Sequence, residues 1–163
     1  GSALRHGIEH CNGKYIIMGD ADDSYNFLKL SLFIERLQAG YDMVMGNRFA
    51  GGITKGAMPW LHRYVGNPFL SSLGRFLFKN NIGDFHCGLR AFTEKCYNII
   101  NPQCNGMEFA SELVALASIH QMRICEIPVI LYPDGRKRRP HLRSWRDGFR
   151  HMVLLYSLYL LRN

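Results

Sequence analysis

No C-x-x-C pair occurs in this chain. The five cysteines, Cys11, Cys87, Cys96, Cys104 and Cys125, are odd in number and scattered. That argues against a zinc ribbon and against a disulfide scaffold, and they are read as reduced thiols of a cytosolic domain. Long apolar runs are also missing. The longest, residues 152–161, is broken by Ser157 and is too short to cross a bilayer alone. Residues 1–7 have no apolar stretch of the kind a secretory signal carries, and neither an internal repeat nor an interdomain linker is visible. Acidic residues are nearly absent from one region: residues 136–163 hold eight Lys/Arg and only Asp147, whereas residues 1–135 hold twelve of each sign. The whole net charge of +7 therefore sits in the last segment. Such a block can meet nucleic acid, anionic lipid or phosphate ligands, or be a solvated face. No recognised nucleic-acid-binding motif accompanies it, so no nucleic-acid partner is expected.

What is present suits one globular domain: 163 residues, 47% hydrophobic and 20% charged, exclude disorder. Leu4, Ile8 and Cys11 recur at helical spacing up to Gly13. Residues 15–18 are a short apolar run, read as a buried strand. Leu30, Phe33, Ile34 and Leu37 mark a helix stopped by Gly40, and residues 41–45 form a second strand. Helix, strand, helix, strand is the rhythm of a parallel α/β sheet. Residues 50–57 are rich in small side chains and read as a mobile loop. A helical pattern over 59–78 should kink or split at Pro68. Residues 89–92 read as a strand, Thr93 as the cap of a short helix ended by Pro102, and 108–120 as a helix. Residues 123–127 and 129–132 are strand-like around Pro128. A basic loop, 133–140, leads to a last helix over about 143–161.

Five places carry chemistry. Asp20-Ala21-Asp22 follows the first strand, where ligand sites of open α/β sheets lie, and two carboxylates there can share a hard divalent cation that also binds phosphates. The alternative is a solvated acidic turn with Asp23 or Ser24 capping the next helix. Gly46-Asn47-Arg48 ends the second strand, and an arginine there can fork onto a phosphate or be a surface cation. Gly83-Asp84-Phe85-His86-Cys87-Gly88-Leu89-Arg90 brings a carboxylate, an imidazole and a guanidinium together. It reads equally as an active-site loop or as an Asp-led turn with Arg90 in a structural ion pair. Glu108 and Glu112 share a helix face, with a solvated face favoured for Glu108. From Asp134 to Tyr156 the chain sets Arg143, Arg146 and Arg150 on one helix face and Trp145, Phe149, Met152 and Tyr156 on another. That is the pattern of an interfacial helix, against an ordinary basic amphipathic helix packed on the domain.

In this order the motifs resemble family 2 glycosyltransferases of the GT-A fold, and among them the polyprenyl-phosphate (dolichyl-phosphate) hexosyltransferases. The resemblance rests on residues 13–22 with the D-x-D, residues 41–48 ending in G-N-R, the loop from Asp84 to Phe92, and Glu126-Ile127-Pro128-Val129. The family's opening strand and βαβ segment, which hold the nucleotide base, have no counterpart before Gly1. The resemblance thus implies a partial GT-A mixed sheet flanked by helices with its first strands missing. Residues 1–142 would be the central and C-terminal part of that domain and 143–163 a basic, membrane-interfacial helix.

The resemblance also implies roles. Asp20 and Asp22 would hold Mg²⁺ or Mn²⁺ against the diphosphate of a nucleotide-sugar donor, with Asp22 the more direct ligand. Arg136 and His141 would reach that diphosphate from the late loop. Arg48, Arg63 and Arg90 would bind the phosphate of a lipid-phosphate acceptor, and Asp84 would orient or deprotonate it. The enzyme would invert the sugar carbon on the cytoplasmic face of a membrane. Two alternatives stand beside this reading. A haloacid-dehalogenase-like phosphatase also places D-x-D after a buried strand, but Gly88 stands where its second acidic residue belongs. A catalytically dead membrane-associated fragment is the non-enzyme alternative.

Overall fold

The computed structural model describes residues 1–135 and 144–162. Helix α1 (Ser2–Glu9) precedes strand β1 (Tyr15–Met18). A 3₁₀ turn (Phe27–Lys29) leads into α2 (Leu30–Gln38), β2 (Met43–Asn47) and the short α3 (Arg48–Gly51). A π-turn (His62–Gly66) then runs into α4 (Asn67–Phe78). Strand β3 (Arg90–Thr93), α5 (Glu94–Ile100), α6 (Phe109–Ile119), β4 (Ile124–Pro128) and α7 (Ser144–Leu161) complete the order.

The strands form one mixed sheet in the order β1-β3-β2-β4. β1 and β2 run in the same direction, as their rhythm predicts, but β3 lies between them antiparallel to both. β4 adds to β2 in parallel. The reversal decides where the loops meet. Because β3 runs backwards, the loop that enters it shares one end of the sheet with the carboxyl ends of β1, β2 and β4. All five residues of β2 are buried, as suits a central strand covered on both faces. Its side chains alternate: Met43 and Met45 join Ile8, Phe92 and Leu113 under α1, α5 and α6, while Val44 joins Phe33, Leu37 and Ala91 under α2. A third cluster, around Leu77, Ala115 and Leu155, seals α4 and α7 onto α6.

Three local expectations change. The pattern over 59–78 is split just ahead of Pro68. The break is the π-turn, and Pro68 falls in the first turn of α4, where a missing N–H costs nothing. Residues 50–57 are tied down: Thr54 N and Oγ1 both donate to Leu131 O, and Ile53 bridges Leu131. Gly51 permits this approach, since a Cβ there would stand 2.3 Å from Val129 N. Residues 129–132 accordingly form backbone contacts with this segment instead of a separate strand. The five cysteines are free thiols, and among the described residues no helix is long and apolar enough to cross a membrane.

Candidate active site

At the end of β2 the chain turns into α3, and Asn47 caps that helix by accepting from Ala50 N at 2.8 Å. The cap fixes the direction of the next side chain. Arg48 is buried and donates from Nε and Nη2 to the two oxygens of Asp84, each at 2.7 Å, while its main-chain N donates to Oδ2 at 3.1 Å. This is the two-pronged guanidinium–carboxylate geometry that orients as well as attracts. Burial disfavours the Arg48 charge most strongly, but the hydrogen bonds and the charge of Asp84 together outweigh it and raise the guanidinium above its ordinary value. Asp84 itself is fully buried and also accepts from His86 N. A carboxylate held by so many donors is suited to fixing Arg48.

Glu126 completes this side. From β4 it accepts Gly83 N at 2.9 Å and Asp84 N at 3.0 Å, one on each carboxylate oxygen. The sequence places Glu126 in a strand motif without giving it a task, and nothing local marks it as a loop anchor. Arg90 corrects an expectation outright. It is 1% exposed and donates to three main-chain carbonyls, those of Cys87, Ala110 and Phe85. It clamps the loop onto α6 and does not face a phosphate. Its described side-chain partners are these carbonyls, and not the carboxylate of the structural ion pair anticipated from sequence. Arg63 lies in the π-turn, donates to Ile53 O at 3.3 Å and stands over the Tyr64 ring. Its neighbour His62 is held below the ordinary histidine value by burial and then by the charge of Arg48.

The carboxylate pair stands at the end of β1, where Asp20 is exposed and Asp22 half-buried. A Cβ on Gly88 would meet Asp20 Oδ2, so the Asp20 carboxylate lies directly against the backbone of the 83–89 loop. Tyr25 ties the same two loops by accepting Gly88 N at 3.1 Å. Asp22 Oδ1 accepts Ser24 N and Oγ, a tight turn with Asp23 in the left-handed region at φ 63°. The segment leading to the basic loop returns here as well: Tyr132 N donates to Ser24 O and Gly135 N to Asp22 O. Arg136 and His141 lie outside the described residues. Two hard carboxylates on an open turn fit a Mg²⁺-type ion that substrate phosphates and water complete. Among the described residues no cluster of three or more metal-binding side chains occurs.

The glutamates behave differently from a solvated helix face. Glu112 is buried and accepts Gln103 N and Cys104 N. Glu108 is buried against Arg150 of α7, Oε1 to Nη2 at 2.5 Å. Helix α7 accordingly turns Asp147, His151 and Leu155 inward, and leaves Arg146, Phe149, Val153, Tyr156 and Leu160 outward. Arg150 is thus paired to the domain, and the apolar outward stripe differs from the expected one by including Val153 and Leu160 and by leaving Met152 half-buried. Arg143 and the side chain of Trp145 lie outside the described part.

Residues 1–98 match the model of Glycosyl transferase family 2. Over 153 residues the chain is 37% identical to the low-salt glycan biosynthesis hexosyltransferase Agl6 of Haloferax volcanii, covering 93% of this chain and 37% of that protein. It is 29% identical to glycosyltransferase AglJ of the same organism, covering 91% and 48%. It is 32% identical to that organism's dolichyl-phosphate hexose transferase, covering 70% and 48%. The chain thus spans half or less of the length of these relatives. A solved structure of glucosyl-3-phosphoglycerate synthase from Mycobacterium tuberculosis, in complex with Mn²⁺, UDP-glucose and phosphoglyceric acid, superposes with a TM-score of 0.72 at 15% identity, covering 96% of this chain and 54% of that one. That likeness shows the fold, which is part of the GT-A architecture. The match also removes the phosphatase alternative: with its carboxylate loop and arginine–carboxylate pair at one end of a GT-A sheet, the chain belongs to glycosyltransferase family 2.

Proposed function

We propose that this chain forms the metal and acceptor side of an inverting hexosyltransferase that moves a hexose from a nucleotide sugar to a polyprenyl-type lipid phosphate at a membrane surface. One observation carries the reading: the Asp20 carboxylate abuts the same loop that holds the buried Arg48–Asp84 pair. Donor diphosphate and acceptor phosphate would then meet across one glycine. Asp20 and Asp22 would hold Mg²⁺ or Mn²⁺, which when bound neutralises charge on the departing nucleoside diphosphate. Asp84 engages two of the five guanidinium N–H donors of Arg48, and the remaining donors suit an acceptor phosphate, with Arg63 beside it. Such a phosphate is largely dianionic at neutral pH, its second pKa being about 6, so its oxygen can attack the sugar carbon without a base. The carbon–oxygen bond to the diphosphate breaks as the new one forms. Asp84 acts by aiming Arg48, and the task left to the protein is to hold two anions together.

The membrane part of the reading is supported by the outward faces of α4 and α7. Both helices lie over α6, and both turn large apolar side chains to solvent: Phe69 and Phe76 on α4, and Phe149, Tyr156 and Leu160 on α7. Exposed patches of this kind mark contact surfaces, and the basic segment 136–163 would add on the order of 1 kcal/mol per cation at an anionic surface. Dolichyl-phosphate hexose transferase being among the relatives favours the lipid phosphate. The test is incubation of the full-length protein with a panel of nucleotide hexoses, Mn²⁺ and a short-chain isoprenyl phosphate in anionic vesicles. Formation of an isoprenyl phosphohexose is the expected product. Transfer only to soluble phosphate compounds would overturn the acceptor, and no consumption of any nucleotide hexose would overturn the activity.

A further inference from the structure

Between the acceptor loop and α7 lies a buried polar chain that the reaction above does not use. His86, two residues after Asp84, places Nε2 at 2.9 Å from Ser111 Oγ on α6, and Ser111 Oγ stands 2.7 Å from Nδ1 of His151 on α7. Ser111 is fully buried, and the two imidazoles meet edge to face at 4.8 Å. The hydroxyl has one proton, so it can donate to at most one of the two imidazoles, and at least one imidazole must donate to it. His86 Nδ1 is buried without a hydrogen-bond partner among the described residues. A buried N–H with no acceptor is rarer than a bare acceptor, which favours His86 Nε2–H donating to Ser111 Oγ and leaves the Ser111 proton for His151 Nδ1.

We propose that His86, Ser111 and His151 are positioning residues, and that their chain makes the seat of α7 a condition for residues 83–90 to hold the shape that aims Arg48. The argument rests on the reading of this loop as the acceptor side. Arg90 already ties the loop to α6 through Ala110 O, but only the histidine chain extends from the loop to α7 among the described side-chain hydrogen bonds. Around it, Glu108, Asp147, Arg150 and Arg90 face His151, and Arg48 and Arg90 face His86. The Arg150–Glu108 pair holds α7 to α6 independently, so breaking the chain loosens the loop without undocking the helix. A helix that rests on a membrane would in this way report its seating to the site.

The geometry gives a sharp test, because asparagine carries its amide where Nδ1 of a histidine stands and glutamine where Nε2 stands. His151→Asn and His86→Gln should keep the chain, and His151→Gln and His86→Asn should break it. In full-length protein, the breaking variants should speed amide hydrogen exchange across residues 83–90 and leave the keeping variants like wild type. With a short-chain isoprenyl phosphate as acceptor, the breaking variants should raise the acceptor KM about tenfold with the donor KM unchanged, and the keeping variants less than about twofold. Ser111→Ala should behave as a breaking variant, and if it fails to fold the Asn/Gln pairs decide. Equal exchange in the 83–90 loop across all four histidine variants overturns the proposal. The exchange arm does not depend on turnover, so an inactive wild type would count against the proposed reaction and leave the chain tested.

Discussion

The two loops that meet at the end of this sheet are built in opposite ways. On one side, Arg48, Asp84 and Glu126 bind one another and the backbone so fully that the ion pair is nearly removed from solvent. On the other side, Asp20 is exposed and Asp22 half-buried, on a turn held through Ser24 and by main-chain bonds from Tyr132 and Gly135. The first side is preorganised by buried protein contacts, and the second lies closer to solvent, where the proposed metal ion would complete it. Loss of a residue on the first side should therefore be felt by the fold, and loss on the second by binding.

The largest expected effect lies on the first side. Asp84→Ala strands the Arg48 charge in the interior and should cost about 3–5 kcal/mol of stability, read by urea unfolding. A loss below about 1 kcal/mol would mean that the pair is solvated and the contrast is false. Acid should come next. His86 and His151 are both held below the ordinary histidine value, by burial first; positive neighbours add to the effect at His86, whereas Glu108 and Asp147 partly offset it at His151. Their unfolded forms take up protons as pH falls below about 6.5, and the folded forms resist. Stability should thus be full above that pH and decline as pH falls through and below it. Urea unfolding at a series of pH values from neutral to mildly acidic checks this, and His151→Asn should flatten the decline.

On the second side, Asp22→Ala should abolish calorimetrically measured binding of Mn²⁺ with a nucleoside diphosphate in the full-length protein, while costing only about 1 kcal/mol of stability from the lost turn. Unchanged affinity would move the metal away from this turn. The smallest effect on the fold belongs to the outward stripe. Phe149→Ser and Tyr156→Ser should change stability by less than about 0.5 kcal/mol and yet reduce sedimentation with anionic vesicles. If α7 is purely structural, the vesicles will not distinguish the variants from wild type.

Much of this site was legible in order along the chain. A short apolar run followed by Asp20-Ala21-Asp22, and another followed by Asn47-Arg48, mark strand ends, because a buried strand must stop where polar side chains begin. The carboxyl ends of β1 and β2 fall there. The D-x-x-x-G-L-R loop was legible as chemistry, but its assignments were not. Asp84 and Arg48 are both named by their motifs, yet nothing in either motif says that they pair with each other across 36 residues. Arg90 reads in sequence as an ion-pair partner or a phosphate ligand and is a backbone clamp in the fold.

Local patterning by itself determined the helices, the strand ends, the concentration of positive charge after residue 135 and the family. These depend on period, on turn chemistry and on short motifs, all of which act over a few residues. The tertiary structure alone decided that β3 runs antiparallel between β1 and β2, and so which loops share one end of the sheet. It also decided that Glu126 anchors the Asp84 loop from 42 residues away and that Ser111 joins His151 across 40. Such partners carry no local signature, since the free energy that selects them comes from burying polar groups together once the sheet has closed.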